Sequence, residues 1–436
     1  MTQTEPQERS RAVPAAPTLT PSENHLIGVQ GVFAAASAIA SVFLSLYLFK
    51  VGGFRTIAWF FLAQYAFMPV AFTMSGYVMR RRSTKDVIRL GLLILCGVYV
   101  TLLALGEDAR HVSFLLGALA GIGEGTYWPG INLSEYIATH ATTRNLYYGK
   151  LFAVSNVASV VGLPLSGVTV AVAGHLATPR AGYYVLFGIL VGMLLLTHRL
   201  GAGIDQWSGL RFGVRDFVEH ARSREWRLVI AQNVLRGLWA YALPAYSAVL
   251  LYLIVRGELS LGLLSAVTTV LVGAASFVAG RTLQRRPTTF LLGAAVVPVG
   301  MLGFAYQQNW LGIACYVVLI MSFDPFAQNA TYKAMYDVME RSGRRWQDAY
   351  HFIVEREIAW NTGRVISFAV ILLLLDPHDQ HRAATTLQHL IAAVAALPIV
   401  VGAVQWRLHR MTAGAPDVAG PGAGALAVEA LDLRDR

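Results

Sequence analysis

Apolar residues run along this chain in long unbroken blocks. They follow neither the 3.6-residue rhythm of a surface helix nor the alternation of a half-buried strand. The blocks cover about residues 26–49, 56–79, 87–105, 112–137, 146–173 and 181–198, then 228–254, 260–280, 288–306, 310–336, 351–375 and 384–406. Each is close to the roughly 20 residues that a helix needs to cross a ~30 Å hydrocarbon layer. A β-barrel would require alternating segments, which these blocks are not. The pattern predicts an all-α integral membrane protein with twelve transmembrane helices. The first block is too long for a signal-peptide core and reads as an uncleaved span. The expected organisation is a disordered tail over 1–24, a six-helix bundle over 25–198, a central loop over 199–226, a second bundle over 227–408 and a disordered tail over 409–436.

Composition agrees with the pattern. The chain is 55% hydrophobic and 14% charged, whereas soluble domains carry about 25% charged residues. Its formal charge of +10 does not require a nucleic-acid partner, because the basic residues sit in short loops. Twelve spans put eighteen Lys and Arg on one face, including Arg80, Arg81, Arg82, Lys85, Arg144, Arg211, Arg222, Arg344 and Arg345. The other face has six: Lys50, Arg55, Arg110, Arg180, Arg256 and Arg382. The positive-inside rule then predicts both termini in the cytoplasm, with the protein in the cell (inner) membrane. Cys96 and Cys315 lie inside apolar blocks and read as small core residues, not as a disulfide or metal pair.

The two halves repeat. Leu46-Tyr47-Leu48 with Gly52 recurs as Leu251-Tyr252-Leu253 with Gly257, and Asn156 with Val160 recurs as Asn361 with Val365, both at an offset of 205. Gly76 with Arg81 recurs as Gly280 with Arg285 at 204. A near-constant offset at matching span ends marks an internal duplication. Six spans per half put the repeats in parallel about an axis along the membrane normal.

The chain at this point resembles the major facilitator superfamily of secondary transporters over about residues 25–408. Besides the topology, the resemblance rests on the loop between spans 2 and 3. The family pattern there is Gly-x-x-x-Asp-Arg-x-Gly-Arg-Arg/Lys. Gly76, Arg81 and Lys85 match it, while Arg80 replaces the Asp and Ser83 the second Gly. The resemblance implies a gate loop built on Gly76, Arg80, Arg81 and Lys85, for which a purely topogenic basic cluster is the alternative. Gly162-Leu163-Pro164-Leu165-Ser166-Gly167 in span 5 resembles a degraded form of the motif of the family's proton-coupled exporters. The span-4 Arg of those exporters is replaced by Gly117.

Charges inside the blocks are the candidate chemistry, since each costs about 2.5–3.5 kcal/mol at the centre of a membrane helix. Arg364 lies ~18 Å by helical rise from Asp376, Glu124 ~20 Å from His111, and Asp324 ~21 Å from Trp310, so the three share one depth. The resemblance places a central cavity there, between the repeats. Glu357, Asn361 and Arg364 fall on one helix face. Asp324 and Glu124 are the candidate proton carriers, because burial makes a carboxyl group easier to protonate. Arg364 is expected to pair with one of them, preferentially Asp324, or to attract an anionic substrate. A static ion pair holding helices together is the alternative. Glu135, Glu355 and Glu357 are expected near water at span ends, and Arg236 to snorkel to the cytoplasm. Asn132, Asn156, Asn329, Asn361, Tyr127, Trp128 and Trp360 are secondary lining candidates, each equally suited to interhelical packing.

No His-Glu-x-x-His, Gly-x-Ser-x-Gly or Gly-x-x-x-x-Gly-Lys is present, so neither an enzyme nor an ATP-driven pump has visible machinery. His378, His381 and Asp379 read as a solvated outer loop, not a metal site. The expected function is secondary active transport of a small organic solute, coupled to protons and leaning to efflux, without a cofactor. The expected state is a monomer in lipid. The alternative is a non-transporting sensor or assembly partner that keeps the transporter fold.

Overall fold

The computed structural model describes residues 18–139, 144–178, 180–219, 222–240, 242–342, 346–376 and 379–412. Of the expected disordered tails, residues 1–17 and 413–436 lie outside them, as do Arg344, Arg345 and His378, whereas Pro21–Asn24 and His409–Thr412 are helical. The helices are α1 (Pro21–Val78), α2 (Thr84–Leu105), α3 (Ser113–Ala138), α4 (Arg144–Leu176), α5 (Ala181–Leu200), α6 (Val214–Glu219), α7 (Arg224–Ala240) and α8 (Ala242–Val255). They continue as α9 (Glu258–Arg285), α10 (Phe290–Tyr306), α11 (Trp310–Ala314), α12 (Met321–Ser342), α13 (Trp346–Leu374), α14 (Gln380–Val394) and α15 (Leu397–Thr412).

α1 starts at Pro21, earlier than the apolar block. Thr20 and Glu23 form a capping box, with Glu23 N donating to Thr20 Oγ1 at 3.2 Å and Thr20 N to Glu23 Oε2 at 2.7 Å. Its 58 residues would reach ~87 Å, nearly three hydrocarbon layers, so it cannot be one crossing. Gly53 breaks it with φ +73°, a left-handed conformation that costs a glycine little. α1 therefore supplies two legs.

Ten helical stretches among the described residues are long and apolar enough to span a membrane. Dividing α1 at Gly53 and adding the less apolar α3 recovers the twelve expected legs. α7 with α8, α11 with α12, and α14 with α15 each make one leg. Between α11 and α12 the chain widens into a π-helical stretch, Cys315–Ile320. Pro325, just beyond it, lacks the N–H that would close an α-turn and crowds the carbonyl four residues back.

α1 to α5 form one bundle and α7 to α15 the other. They meet where α4 packs on α9, and α1 on α13 and α8. Many large apolar side chains point outward, Leu373 and Leu176 among them at 84% and 83% exposed. That would be costly in water and is ordinary against lipid.

α3 lies unusually close to the second leg of α1. Side chains at Gly117, Gly121 and Gly125 would run into the backbone carbonyls of Phe60, Gln64 and Met68. This is the small-residue seam of membrane helix pairs. It explains Gly117 where the exporter pattern has Arg: no bulk fits there. It also sets Glu124, on the same stretch, beside Gln64.

The face carrying the basic loops is closed by the central segment. Thr84 N donates to Trp207 O at 2.9 Å and Leu210 N to Met79 O at 3.3 Å, so residues 207–210 lie across the turn after α1. Ser22 Oγ donates to Asp205 Oδ2 at 2.7 Å. Glu355, expected in water, instead takes Arg222 and the Trp226 indole, the latter at 2.8 Å.

Candidate functional site

The seam between the bundles is built mainly by the second leg of α1 and by α13, which run antiparallel. Towards the face opposite the basic loops, Phe368 stacks on Phe61 at 5.6 Å and lies 5.7 Å from Tyr65 and 5.9 Å from Tyr246. Towards the basic face, Phe212 lies 5.2 Å from Tyr350 and 5.4 Å from Tyr77. The Tyr350 hydroxyl donates to Phe72 O at 3.0 Å across the bundles. Two aromatic layers therefore cover one level from both sides.

Arg364 occupies that level. It is 4% exposed, and its guanidinium lies 4.6 Å from the Tyr65 ring and 4.8 Å from the Trp360 ring. One ring comes from each bundle. Arg364 donates to Asn361 Oδ1 at 3.0 Å and approaches Met68 Sδ at 4.0 Å. Asn361, fully buried, donates through Nδ2 to Glu357 Oε1 and to Glu357 O, both at 2.8 Å. The Glu357-Asn361-Arg364 stripe read from the sequence is thus one connected chain of side chains. Glu124 lies on α3 beside Gln64, within the field of Arg364 and Glu357.

The expected Asp324–Arg364 pair does not form. Asp324 accepts from Arg236 at 2.7 Å, and Arg236 is buried, with only 3% exposure, so it does not snorkel. Arg236 stands 5.5 Å from the Trp239 ring. The reason is geometric: α7 packs against both α12 and α13 and carries Arg236 to Asp324 within its own bundle. Arg364 turns across the seam instead. Glu135 and Glu357, expected near water, are buried too. Glu135 takes Gln30 at 2.7 Å and Tyr147 at 3.3 Å.

The secondary candidates scatter. Tyr127 stacks on Phe33 at 4.0 Å, and Trp128 lies edge-on to the same ring at 5.6 Å, both packed with the core of the first bundle. Asn329 donates to Ser276 O at 3.0 Å and ties α12 to α9. Asn156 abuts Gly273 across the α4–α9 seam. Asn132 is partly buried on α3, eight residues beyond Glu124. In the loop after α1, Gly76 packs under Phe212 and Tyr350, while Arg80 and Arg81 are exposed and Lys85 is partly buried in the first turn of α2. Sequence reasoning missed Gln64, Tyr65 and Arg356. A single Gln-Tyr inside an apolar block was the available signal for the first two.

Asp324→Asn is expected to lower thermal stability in detergent by about 3 kcal/mol, because Arg236 keeps its charge and loses its carboxylate. The figure sits at the low end for a buried pair, since 21% of the Asp324 side chain is exposed. Unchanged unfolding of that variant would dismiss the pair as a structural element.

A polytopic helical bundle with buried charges between two halves is the architecture of a membrane transporter. The chain belongs to the major facilitator superfamily: the profile described as Major Facilitator Superfamily matches residues 26–345. It is similar to the uncharacterized protein YqgE of Bacillus subtilis (strain 168), 23% identical over 355 residues, covering 80% of this chain and 82% of that one. Among solved structures it is similar to a bacterial homologue of the human drug peptide transporters PepT1 and PepT2. That match has a TM-score of 0.66 at 13% identity, over 90% of this chain and 99% of that one. The E. coli fucose:proton symporter FucP matches with a TM-score of 0.60 at 14% identity, over 89% and 98%. At such identities these likenesses establish the fold alone. The protein is a multi-pass membrane protein with the fold of secondary transporters.

Proposed function

We propose that this chain moves a small organic solute across the cell (inner) membrane by alternating access, driven by protons. What supports the reading is Arg364. It sits at the seam, held by Asn361 of its own helix and facing Tyr65, Met68 and Glu124 of the other bundle. Arg236, by contrast, is held to Asp324 within its own bundle. Arg364 is placed where its contacts must change when the bundles rock. Glu124 is the proton carrier in this reading, with Asp324 reassigned to holding its bundle together. Efflux is the direction favoured by the Gly162–Gly167 run, and a monomer in lipid is the working unit. A ligand-stabilisation screen on purified protein tests the reading, because a bound solute raises apparent stability by mass action. Loss of every stabilising hit in Arg364→Ala would support it, and hits undiminished in that variant would remove Arg364 from the site.

The basic loops are assigned to the cytoplasm, and the loop of Gly76, Arg80, Arg81 and Lys85 to the gate on that side. In a chain with Cys96 and Cys315 replaced by alanine, cysteine at Arg82 is expected to resist a membrane-impermeant thiol reagent in intact cells, while cysteine at Gln308 reacts. The reverse labelling would invert the orientation.

A further inference from the structure

We propose that the solute is a small organic anion, a carboxylate on a flat apolar body, and that it binds together with one proton. The inference rests on the transport reading above and names the substrate class of that site.

The first observation is the set of charges around Arg364. On α13 Arg364 and Arg356 are buried cations and Glu357 is a buried carboxylate. Glu124 of α3, partly buried, is the further carboxylate within the field of Arg364, while Glu135 lies ~16 Å further along α3 and is held by Gln30 and Tyr147. Arg356 is 8% exposed and lies 6.0 Å from the same Trp360 ring that Arg364 meets at 4.8 Å. Glu357 is shared between Arg356 at 3.3 Å and the Asn361 amide. Around Arg364 itself, a proton on Glu124 removes the carboxylate that faces the guanidinium from α3 and leaves a positive charge there. An excess charge in a low-dielectric layer is costly, and an anion beside Arg364 removes the cost.

The second observation is the shape of the cation site. Tyr65 and Trp360 each present a ring to Arg364 within 5 Å or so. The guanidinium edge suits a carboxylate bidentately, and the rings suit a flat apolar body. A cationic solute would meet two guanidinium groups, which like-charge repulsion forbids.

The third observation is Arg356 itself. Its Nε is buried without a hydrogen-bond partner. It sits eight residues before Arg364 on α13, ~12 Å nearer the basic face by helical rise. A solute anion crossing from that face meets Arg356 first and Arg364 second.

The coupling follows from competition for one cation. The solute carboxylate takes the field of Arg364 that Glu124 otherwise holds, and the displaced Glu124 carboxylate binds a proton from water. No covalent bond is made or broken. The groups facing Glu124 are Gln64 and Tyr65 from α1, Tyr99 from α2, and Arg364 and Glu357 from α13. Anion and proton then travel together, in whichever direction their summed gradients point. An inward proton gradient then drives uptake, and export follows only when the cytoplasmic anion is in excess, which weighs against the efflux direction that the Gly162–Gly167 run suggests.

The test uses the full-length purified protein in detergent. Thermal stabilisation is read with three aromatic monocarboxylates (benzoate, phenylacetate and 4-hydroxybenzoate), their uncharged amides, and benzylamine, at mildly acid and at neutral pH. The expected result is stabilisation by at least one carboxylate and by none of the amides or the amine. Its apparent affinity should tighten by up to about tenfold per pH unit of acidification, the slope of one linked proton. Glu124→Gln should keep carboxylate binding and flatten that slope. Arg356→Gln, which leaves Arg364 and Glu124 themselves in place, should weaken binding severalfold without flattening it. Stabilisation by amide or amine but not by carboxylate overturns the anion and leaves the transporter reading standing. Stabilisation by a carboxylate with the same slope in Glu124→Gln overturns the linked proton. No stabilisation by any carboxylate overturns the anion, and a wider screen with no hit of any charge would then count against the transport reading.

Discussion

Replacing Arg364 with alanine is expected to weaken substrate binding roughly 10–150-fold and to bring transport below detection, while the protein still folds and reaches the membrane. The magnitude follows from hydrogen bonds to a charged group, worth about 1.5–3 kcal/mol. Folding should survive because of what Arg364 leaves behind. Asn361 keeps both of its bonds to Glu357. A carboxylate deprived of its cation, unlike a buried guanidinium, can be neutralised by a proton. Binding of a stabilising ligand and thermal unfolding, measured on the same preparation, separate the two roles. A variant that loses about 3–5 kcal/mol of stability along with its activity would show instead that Arg364 holds the bundles together as a static pair.

The second large effect is expected at Glu124, and it differs in kind. Glu124→Gln keeps the acceptor oxygen facing Gln64 but can no longer alternate between charged and neutral forms. In proteoliposomes it should lose all concentrative uptake driven by an imposed pH gradient. It should still exchange labelled for unlabelled substrate at a rate within about tenfold of the parent, a barrier change of no more than about 1.4 kcal/mol. Proton movement accompanying transport should vanish with it. Asp324→Asn should show the opposite pattern, lower stability with coupling retained in the surviving protein. Concentrative transport by Glu124→Gln would place coupling at another group, Glu135 with its Gln30 and Tyr147 partners being the next carboxylate to replace.

Much of the fold is legible in the sequence, because a membrane helix must satisfy its own backbone and so announces itself as a long apolar block. The helical membrane fold follows from counting apolar blocks, and a common depth for Glu124, Asp324 and Arg364 is the expectation that helical rise gives. Pairing does not follow, because depth fixes only one coordinate. Arg364 and Asp324 share a level, yet the rotation of α7 hands Asp324 to Arg236, and the glycine seam of α3 brings Glu124 towards Arg364. Gly117, Gly121 and Gly125 carried that information at a spacing of four, but which helix they meet is set by three-dimensional packing. Burial at the span ends was equally hidden. Glu355 and Glu357 stand two residues apart near the start of α13. Glu355 is covered by Trp226 of α7, remote in the chain, whereas Glu357 is held by Arg356 and Asn361 of its own helix, and only the rotation of α13 decides that these face inward.

The two aromatic layers have a mechanical consequence. Both are carried by the same pair of rods, the second leg of α1 and α13, with Phe61 and Phe368 near one end and Phe72 and Tyr350 near the other. A stiff rod pivoting at its middle cannot part from its neighbour at both ends at once. Spreading one layer presses the other shut, like the jaws and handles of a pair of pliers hinged between the two layers. A leak, in which both ends gape together, would then require α1 or α13 to bend. Pro69, which interrupts the hydrogen-bond ladder of that leg of α1 between Tyr65 and Phe72, is the one weak point in the lever.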